Sequence, residues 1–534
     1  MPGVRHYLDL GHLRRLDEYR YSAVDKSLIS RYILRHYWTF AAEYLPSWLA
    51  PNAVTLIGFS AVVVNFITVA AVSPGLEGSE HGWVWALCAA GLFFYQTMDV
   101  LDGKQARKTG TSSPMGELFD HGCDALNTTL SALIQAGAMG LGSSPPLLTL
   151  CVVLPCASFF LSTWEEYHTG TLYLGYINGP VEGILIAVAL LSWTAVQGSS
   201  WWSLPTGEAI GNVWFLPSTW RVNRLVMLFL TVAFLAVHLP PCLHNVYNHL
   251  APPRRRPLTT RPPSGVNTTQ PAEAYRQLLP MAIFCLLSSL WALSPRSVIM
   301  REDRQVEFFL IVCLLYGQMT SKVILAQLTK GLFPYSWALL APLAFPAVML
   351  NLPYLHPRVL SPAILEILYL HLTLAFSLLS YALATQAVLS AFCSYLGIRA
   401  LTIPHPNAAT TSSDGYAAVP TAAPRTVHQS PAIGGPVPPG SPVAHGAPGS
   451  AHEREAYPPA PASASAHAAE ASARSPLRGA RKWLDPLAAL GGVGGGRGGA
   501  EGAEGGEGGG RKRSNTSERE RGVGMGGGAG ARQG

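Results

Sequence analysis

Apolar residues gather into long runs over the first three quarters of this chain and thin out abruptly near residue 404. Windows of about 20 residues with few charges can cross a ~30 Å hydrocarbon core as helices. About ten such windows occur, centred on 51–72, 83–100, 118–140, 147–164, 182–198, 224–245, 278–294, 306–328, 336–354 and 364–390. The pattern predicts an all-α polytopic membrane protein with about ten transmembrane helices. Ahead of them, residues 24–45 mix aromatic and aliphatic side chains with Lys26, Arg31, Arg35 and Glu43 at helical spacing, behind Ser22 and Asp25 as a capping pair. This predicts an N-terminal amphipathic helix lying at the membrane interface, the alternative being a soluble helix docked on a loop. From about 404 onward the chain is mostly Ala, Gly, Pro and Ser. Such a segment buries too little apolar surface to offset the entropy of ordering it, so the tail is predicted to be disordered.

Composition agrees. Of the 534 residues 49% are hydrophobic and 13% charged, against about 25% charged in a soluble domain. The eight cysteines are scattered singly, most of them inside apolar runs, without the spacing of a zinc site or disulfide framework. The net charge of +6 is modest and its basic residues sit in short loops, which argues against nucleic acid as a partner. Those loops set the orientation. The N-terminal segment, the loop with Lys104, Arg107 and Lys108, and the loop with Arg254, Arg255 and Arg256 share one side if ten spans hold, and the positive-inside bias makes that side cytosolic. Arg296, Arg301 and Arg304 dissent, accompanied by Glu302 and Asp303. The opening residues lack the apolar core of a secretory signal peptide, so the first span is expected to do the targeting.

Between the second and third windows the chain reads MDVLDGKQARKTGTSSPMGELFDHGCD. Asp99, Asp102, Gly103, Ala106, Arg107, Gly116, Asp120 and Asp124 fill the frame D-x2-D-G-x2-A-R-x8-G-x3-D-x3-D. On helices, Asp99 and Asp102 project from one face, as do Asp120 and Asp124. Four carboxylates at a bilayer edge repel one another unless cations neutralise them. Hard oxygen ligands suit two Mg2+ or Mn2+ ions acting on a phosphoryl group. Arg107 offers a planar fork to phosphate oxygens, and Gly103 and Gly116 leave room for a nucleotide or a neighbouring helix. His121 lies one helical turn after Glu117, an arrangement suited to a general base that deprotonates an alcohol.

This frame resembles the signature of the CDP-alcohol phosphotransferase family. PNAVTLIGF at 51–59, TWEEYHTGTL at 163–172 and INGPVEG at 177–183 extend the likeness to the eukaryotic choline/ethanolamine phosphotransferases, the plant-type aminoalcohol phosphotransferases above all. The resemblance covers roughly 14–400 and weakens after about 200. It implies that Asp99, Asp102, Asp120 and Asp124 bind the metal pair, that Asn52 and Arg107 contact the CDP-alcohol, and that His121 accepts the proton with Glu117 raising its basicity. It implies transfer of phosphocholine or phosphoethanolamine from CDP-choline or CDP-ethanolamine to 1,2-diacylglycerol, giving phosphatidylcholine or phosphatidylethanolamine and CMP. A homodimer in endoplasmic reticulum or Golgi membranes, with the site facing the cytosol, completes the expectation. The chain then divides into an N-terminal cytosolic segment (1–50), catalytic helices (51–250), C-terminal transmembrane helices (251–403) and the tail (404–534). Two other readings share features of the motif. A CDP-diacylglycerol-dependent phosphatidyltransferase has the same frame, and a divalent-cation transporter also needs intramembrane acids, though spread through several spans. Asn178, Glu182, Glu165 and Glu166 can line the pocket, but ordinary caps and turns account for them about as well, and they are left outside the site.

Overall fold

In the computed structural model of the chain, the described residues are 8–251, 270–352 and 363–403. Arg254, Arg255, Arg256 and the tail from 404 lie outside them. Helices stand at every predicted window: α1 (Pro51–Val72), α2 (Gly82–Thr109), α3 (Pro114–Ala138), α4 (Pro145–Thr169), α5 (Gly179–Gln197), α6 (Val222–Leu250), α7 (Leu279–Ala292), α8 (Gln305–Leu328), α9 (Trp337–Asn351) and α10 (Ala363–Leu396). Among the described residues seven of them, α1, α2, α4, α5, α6, α8 and α10, are long and apolar enough to cross a membrane. The fold is that of a helical integral membrane protein, but length and composition do not bear out a count of ten. The other three fall short for identifiable reasons. α3 has 25 residues yet carries Glu117, Asp120 and Asp124. α7 has 14 residues, a rise of about 21 Å, and opens on a proline, while α9 is short and interrupted by Pro346.

Hydrogen bonds between connections define two ends of the bundle. At one end Gly142 N donates to Leu76 O (2.8 Å), Ser199 Oγ to Ser79 O (2.9 Å) and Asn223 Nδ2 to Met139 O (3.4 Å). At the other, Lys330 reaches Glu18 (2.7 Å) and Tyr395 OH donates to Asp17 (2.9 Å), so the N-terminal segment lies over the ends of α8 and α10. α8 is the central helix, packed on α3, α4 and α10 and mostly buried. α6 and α10 instead turn Leu228, Phe229, Val232, Leu365, Leu368 and Leu372 outward, as lipid-facing helices do. All eight cysteines are free, most of them buried as packing residues.

The N-terminal surface helix runs as a π turn, Ser30–Leu34, into Arg35–Glu43, and so begins later than residue 24. The reason is a long-range pairing that local spacing does not reveal. Strand β1 (Ala23–Asp25) pairs in parallel with β2 (Leu172–Leu174), in the register Ala23 to Leu172. This removes Ser22 from any cap. Ser27 caps instead, its Oγ accepting from Ser30 N (2.9 Å), while Asp25 accepts from Ser27 N (2.8 Å) and Ser30 Oγ (2.6 Å). Leu34 and Trp38 dock against Val181, and Tyr32, Ile33 and Phe40 stay exposed. One apolar face is therefore packed and the other free for the membrane interface.

Candidate active site

Local chain reversal builds the site. α2 ends where Gly110 adopts φ +69°, a left-handed conformation that favours glycine, with Thr111 N returning to Ala106 O at 2.9 Å. Ser113 then caps α3, its side chain accepting from Gly116 N, and Pro114 occupies the first turn. The two halves of the motif thus run antiparallel. α1 packs along both, and its Gly58 permits the approach to α2, since a Cβ there would sit 2.6 Å from Met98 Cβ.

Asp99, Asp120 and Asp124 each bring a carboxylate oxygen within 4.8 Å of the others. Asp102, 7% exposed, faces Asp120 and accepts from the Thr55 hydroxyl. Tyr95 OH donates to Asp124. Asp99 Oδ1 and Asp120 Oδ1 are buried without a hydrogen-bond partner. Among the described residues no Lys or Arg forms an ion pair with any of the four. Orphaned carboxylate oxygens so placed are costly, and the donor set fits a hard divalent cation.

A second cluster adjoins the first. Glu117, His121 and Glu166 bring one ligand atom each within 4.8 Å of one another. Tyr19, from the N-terminal segment, donates its hydroxyl to Glu117 Oε2. Burial raises the Tyr19 pKa, and the neighbouring Glu117 charge adds to it, so the phenol stays a donor at neutral pH.

The basic residues of the motif divide their tasks. Lys108 Nζ donates to Ala42 O (3.2 Å) and Leu45 O (2.8 Å), and Lys104 Nζ to Thr39 Oγ1 (3.2 Å), so both hold the end of the surface helix. Arg107 is exposed, and its guanidinium lies beside Gly103, where a Cβ would meet it at 3.5 Å. A Cβ on Gly116 would meet Asn52 Oδ1 and Ser113 Oγ at 3.6 Å. Neither glycine is pressed by a neighbouring helix, which leaves the space around them open to a ligand. Asn52, 7% exposed, donates from Nδ2 to Ala400 O (2.8 Å), so the segment after α10 covers it.

Of the residues held outside the site, Asn178 and Glu182 are caps: Asn178 Oδ1 accepts from Val181 N (2.9 Å), and Glu182 accepts from Asn178 N (3.0 Å) and the Ser27 hydroxyl. Glu165 accepts from Asn245 Nδ2 (2.7 Å). Glu166 alone of them joins the site. Thr55, Tyr95 and Tyr19 are further additions. Thr55 lies one turn after Asn52 and Tyr95 one turn before Asp99, signals visible at helical spacing; Tyr19 reaches Glu117 across 98 positions, which local spacing does not reveal.

Comparison with known proteins decides the family. The chain is 34% identical over 407 residues to the Dictyostelium discoideum protein called uncharacterized CDP-alcohol phosphatidyltransferase class-I family protein 3, covering 73% of this chain and 97% of that relative. The chain belongs to the CDP-alcohol phosphatidyltransferase class-I family. The family profile, CDP-alcohol phosphatidyltransferase, matches residues 48–236, which contain both clusters. The chain is also similar to choline/ethanolaminephosphotransferase 1 of Saccharomyces cerevisiae, 44% identical over 193 residues (36% of this chain, 49% of that one). With choline/ethanolaminephosphotransferase 1 of Arabidopsis thaliana it shares 35% identity over 243 residues (45% and 61%). Tyr19 and Ala400 lie outside the profile and reach into the candidate site from both flanks.

Proposed function

We propose that this enzyme transfers phosphocholine or phosphoethanolamine from CDP-choline or CDP-ethanolamine to 1,2-diacylglycerol, forming phosphatidylcholine or phosphatidylethanolamine and CMP. The observation that carries the reading is the adjacency of two clusters: a carboxylate set with orphaned oxygens, and an imidazole flanked by carboxylates. The first suits a pyrophosphate with its cations, the second the activation of an alcohol. Relatives named choline/ethanolaminephosphotransferase support this choice of substrates over a CDP-diacylglycerol donor. Confinement of the motif acids to adjoining clusters at one end of the bundle speaks against an ion pathway.

Asp99, Asp102, Asp120 and Asp124 would hold two Mg2+ or Mn2+ ions, whose charge would offset that of the pyrophosphate and of the departing CMP. Arg107 and Asn52 bind the donor, Gly103 and Gly116 admitting it closely. His121 takes the proton from the diacylglycerol hydroxyl as that oxygen attacks the β-phosphorus in line; Glu117, held by Tyr19, supports the imidazole. The donor is water-soluble and the acceptor stays in the bilayer, so the reacting atoms meet at a membrane boundary. The basic N-terminal segment lies at the site's end of the bundle, which supports a cytosolic site in endoplasmic reticulum or Golgi membranes. Residues 51–250 are taken as the catalytic helices.

The test is reconstituted protein that converts diacylglycerol only when CDP-aminoalcohol and Mg2+ are both present. His121→Ala should bind CDP-choline within about 2-fold of wild type and lose at least about 10²-fold in turnover. Turnover that survives this substitution overturns His121 as the base.

A further inference from the structure

Two consecutive acids near the end of α4 have opposite surroundings. Glu165 turns toward α6, where Asn245 donates to it at 2.7 Å. Glu166 is 4% exposed and faces the other way, with a carboxylate oxygen within 4.8 Å of both a Glu117 oxygen and a His121 ring nitrogen. The imidazole is therefore within reach of carboxylates from two helices, Glu117 one turn earlier on α3 and Glu166 across the interface on α4. These two acids are not equivalent. Glu117 is restrained by the Tyr19 hydroxyl on Oε2, whereas no hydrogen bond to the Glu166 side chain from another residue competes for it among the described residues.

We propose that Glu166 is a positioning residue for His121, accepting the N–H of one ring nitrogen so that the other faces the acceptor hydroxyl with its lone pair. The inference rests on the reading of His121 as proton acceptor and adds a residue from outside the aspartate motif. An imidazole has one nitrogen to donate and one to accept, and a ring free to rotate about its side-chain torsions presents the accepting nitrogen only part of the time. A carboxylate that accepts from one ring nitrogen fixes the tautomer and the orientation of the ring. Loss of the orienting partner of a metal-ligating histidine lowers metal affinity or activity by about 10- to 100-fold, which sets the scale expected here.

The experiment uses full-length protein in nanodiscs with CDP-choline and diacylglycerol, comparing Glu166→Ala, Glu166→Gln and Glu165→Gln in wild-type and His121→Ala backgrounds. Glu166→Ala should reduce kcat by about 10- to 100-fold while KM for CDP-choline stays within about 2-fold. Glu166→Gln, nearly isosteric and still an acceptor, should recover part of the loss and covers the case in which the alanine variant fails to fold. Glu165→Gln, which keeps an acceptor for Asn245 on the side away from His121, should leave kcat within about 3-fold. The deciding readout is the double variant: with His121 already gone, removing Glu166 should change residual turnover by less than about 2-fold, since residues acting as a unit are not additive. An equal loss in both backgrounds, a loss confined to KM, or unchanged kcat in both Glu166 variants overturns the proposal. Failure of the parent reading looks different, because then His121→Ala itself retains turnover.

Discussion

A buried carboxylate at one end of the molecule and a cluster of four aspartates at the other are treated in opposite ways. At the far end, Glu366 of α10 is 5% exposed and accepts from Trp291 Nε1 (3.0 Å), Ser297 Oγ (2.7 Å) and Val298 N (3.0 Å). It ties the 293–304 connection to α10 with its charge dispersed over three donors. In the aspartate cluster Asp102 accepts from the Thr55 hydroxyl and the Gly103 N–H and Asp124 from the Tyr95 hydroxyl, whereas Asp99 Oδ1 and Asp120 Oδ1 have no partner among the described residues. A protein that places three donors on one carboxylate can satisfy such groups where structure is the purpose. Gathering four at the other end and leaving two of them with orphaned oxygens marks a place that stability alone would not select.

The sharpest way to break this contrast is to remove one charge from each end. Asp99→Asn or Asp120→Asn should lower turnover by at least about 10³-fold, roughly 4 kcal/mol of transition-state stabilisation. The same variants should melt no earlier than wild type in EDTA, because they relieve repulsion among acids. Glu366→Ala should do the reverse: turnover within a few-fold of wild type, but an earlier melt, since three buried donors lose their acceptor at about 1–3 kcal/mol for each left unsatisfied. Paired assays and melting curves on purified protein check both, and an aspartate variant destabilised as much as Glu366→Ala would erase the distinction.

A smaller effect should appear on adding the cation. A ligand that binds only the folded state at 100 times its Kd contributes about 2.7 kcal/mol. Mg2+ should therefore raise the melting temperature of wild type and of Glu366→Gln, and leave Asp120→Asn nearly unmoved. A shift that survives in the aspartate variant would move the cation elsewhere.

What could be read before the structure follows from the range of the interactions. Every window of apolar residues holds a helix, because helical hydrogen bonds are local and lipid demands that they be complete. Seven of these helices have the length and composition of a membrane span, whereas α7 and α9 are short and carry Pro280 and Pro346, and α3 carries acids. Within the motif, spacings of three and four placed Asp99 beside Asp102 and Asp120 beside Asp124, and one reversal at Gly110 brought the pairs together. The start of the surface helix was misjudged because β1 pairs with residues 149 positions away by the Ala23 to Leu172 register. Glu166 was visible as a residue but not as a neighbour, since Glu165 and Glu166 differ only in the side of α4 from which they project.

Glu117 stands between the two extremes, with a single side-chain donor, Tyr19, among the described residues. Tyr19→Phe should therefore have the smallest measurable effect, a reduction in kcat of about 5-fold, the size of one hydrogen bond of about 1 kcal/mol. Docking of the N-terminal segment does not depend on that hydroxyl, because Leu13 and Leu16 are buried against Leu118, Ile324 and Phe392. The exposed pair of Lys330 with Glu18 adds little, as surface ion pairs do. Lys330→Ala should accordingly change kcat by less than about 2-fold. If both variants instead lose activity together, with KM for the donor rising, the segment serves as a lid over the pocket and Tyr19 is only its latch; a loss confined to Tyr19→Phe and to kcat keeps the phenol in its place as the one donor that steadies Glu117.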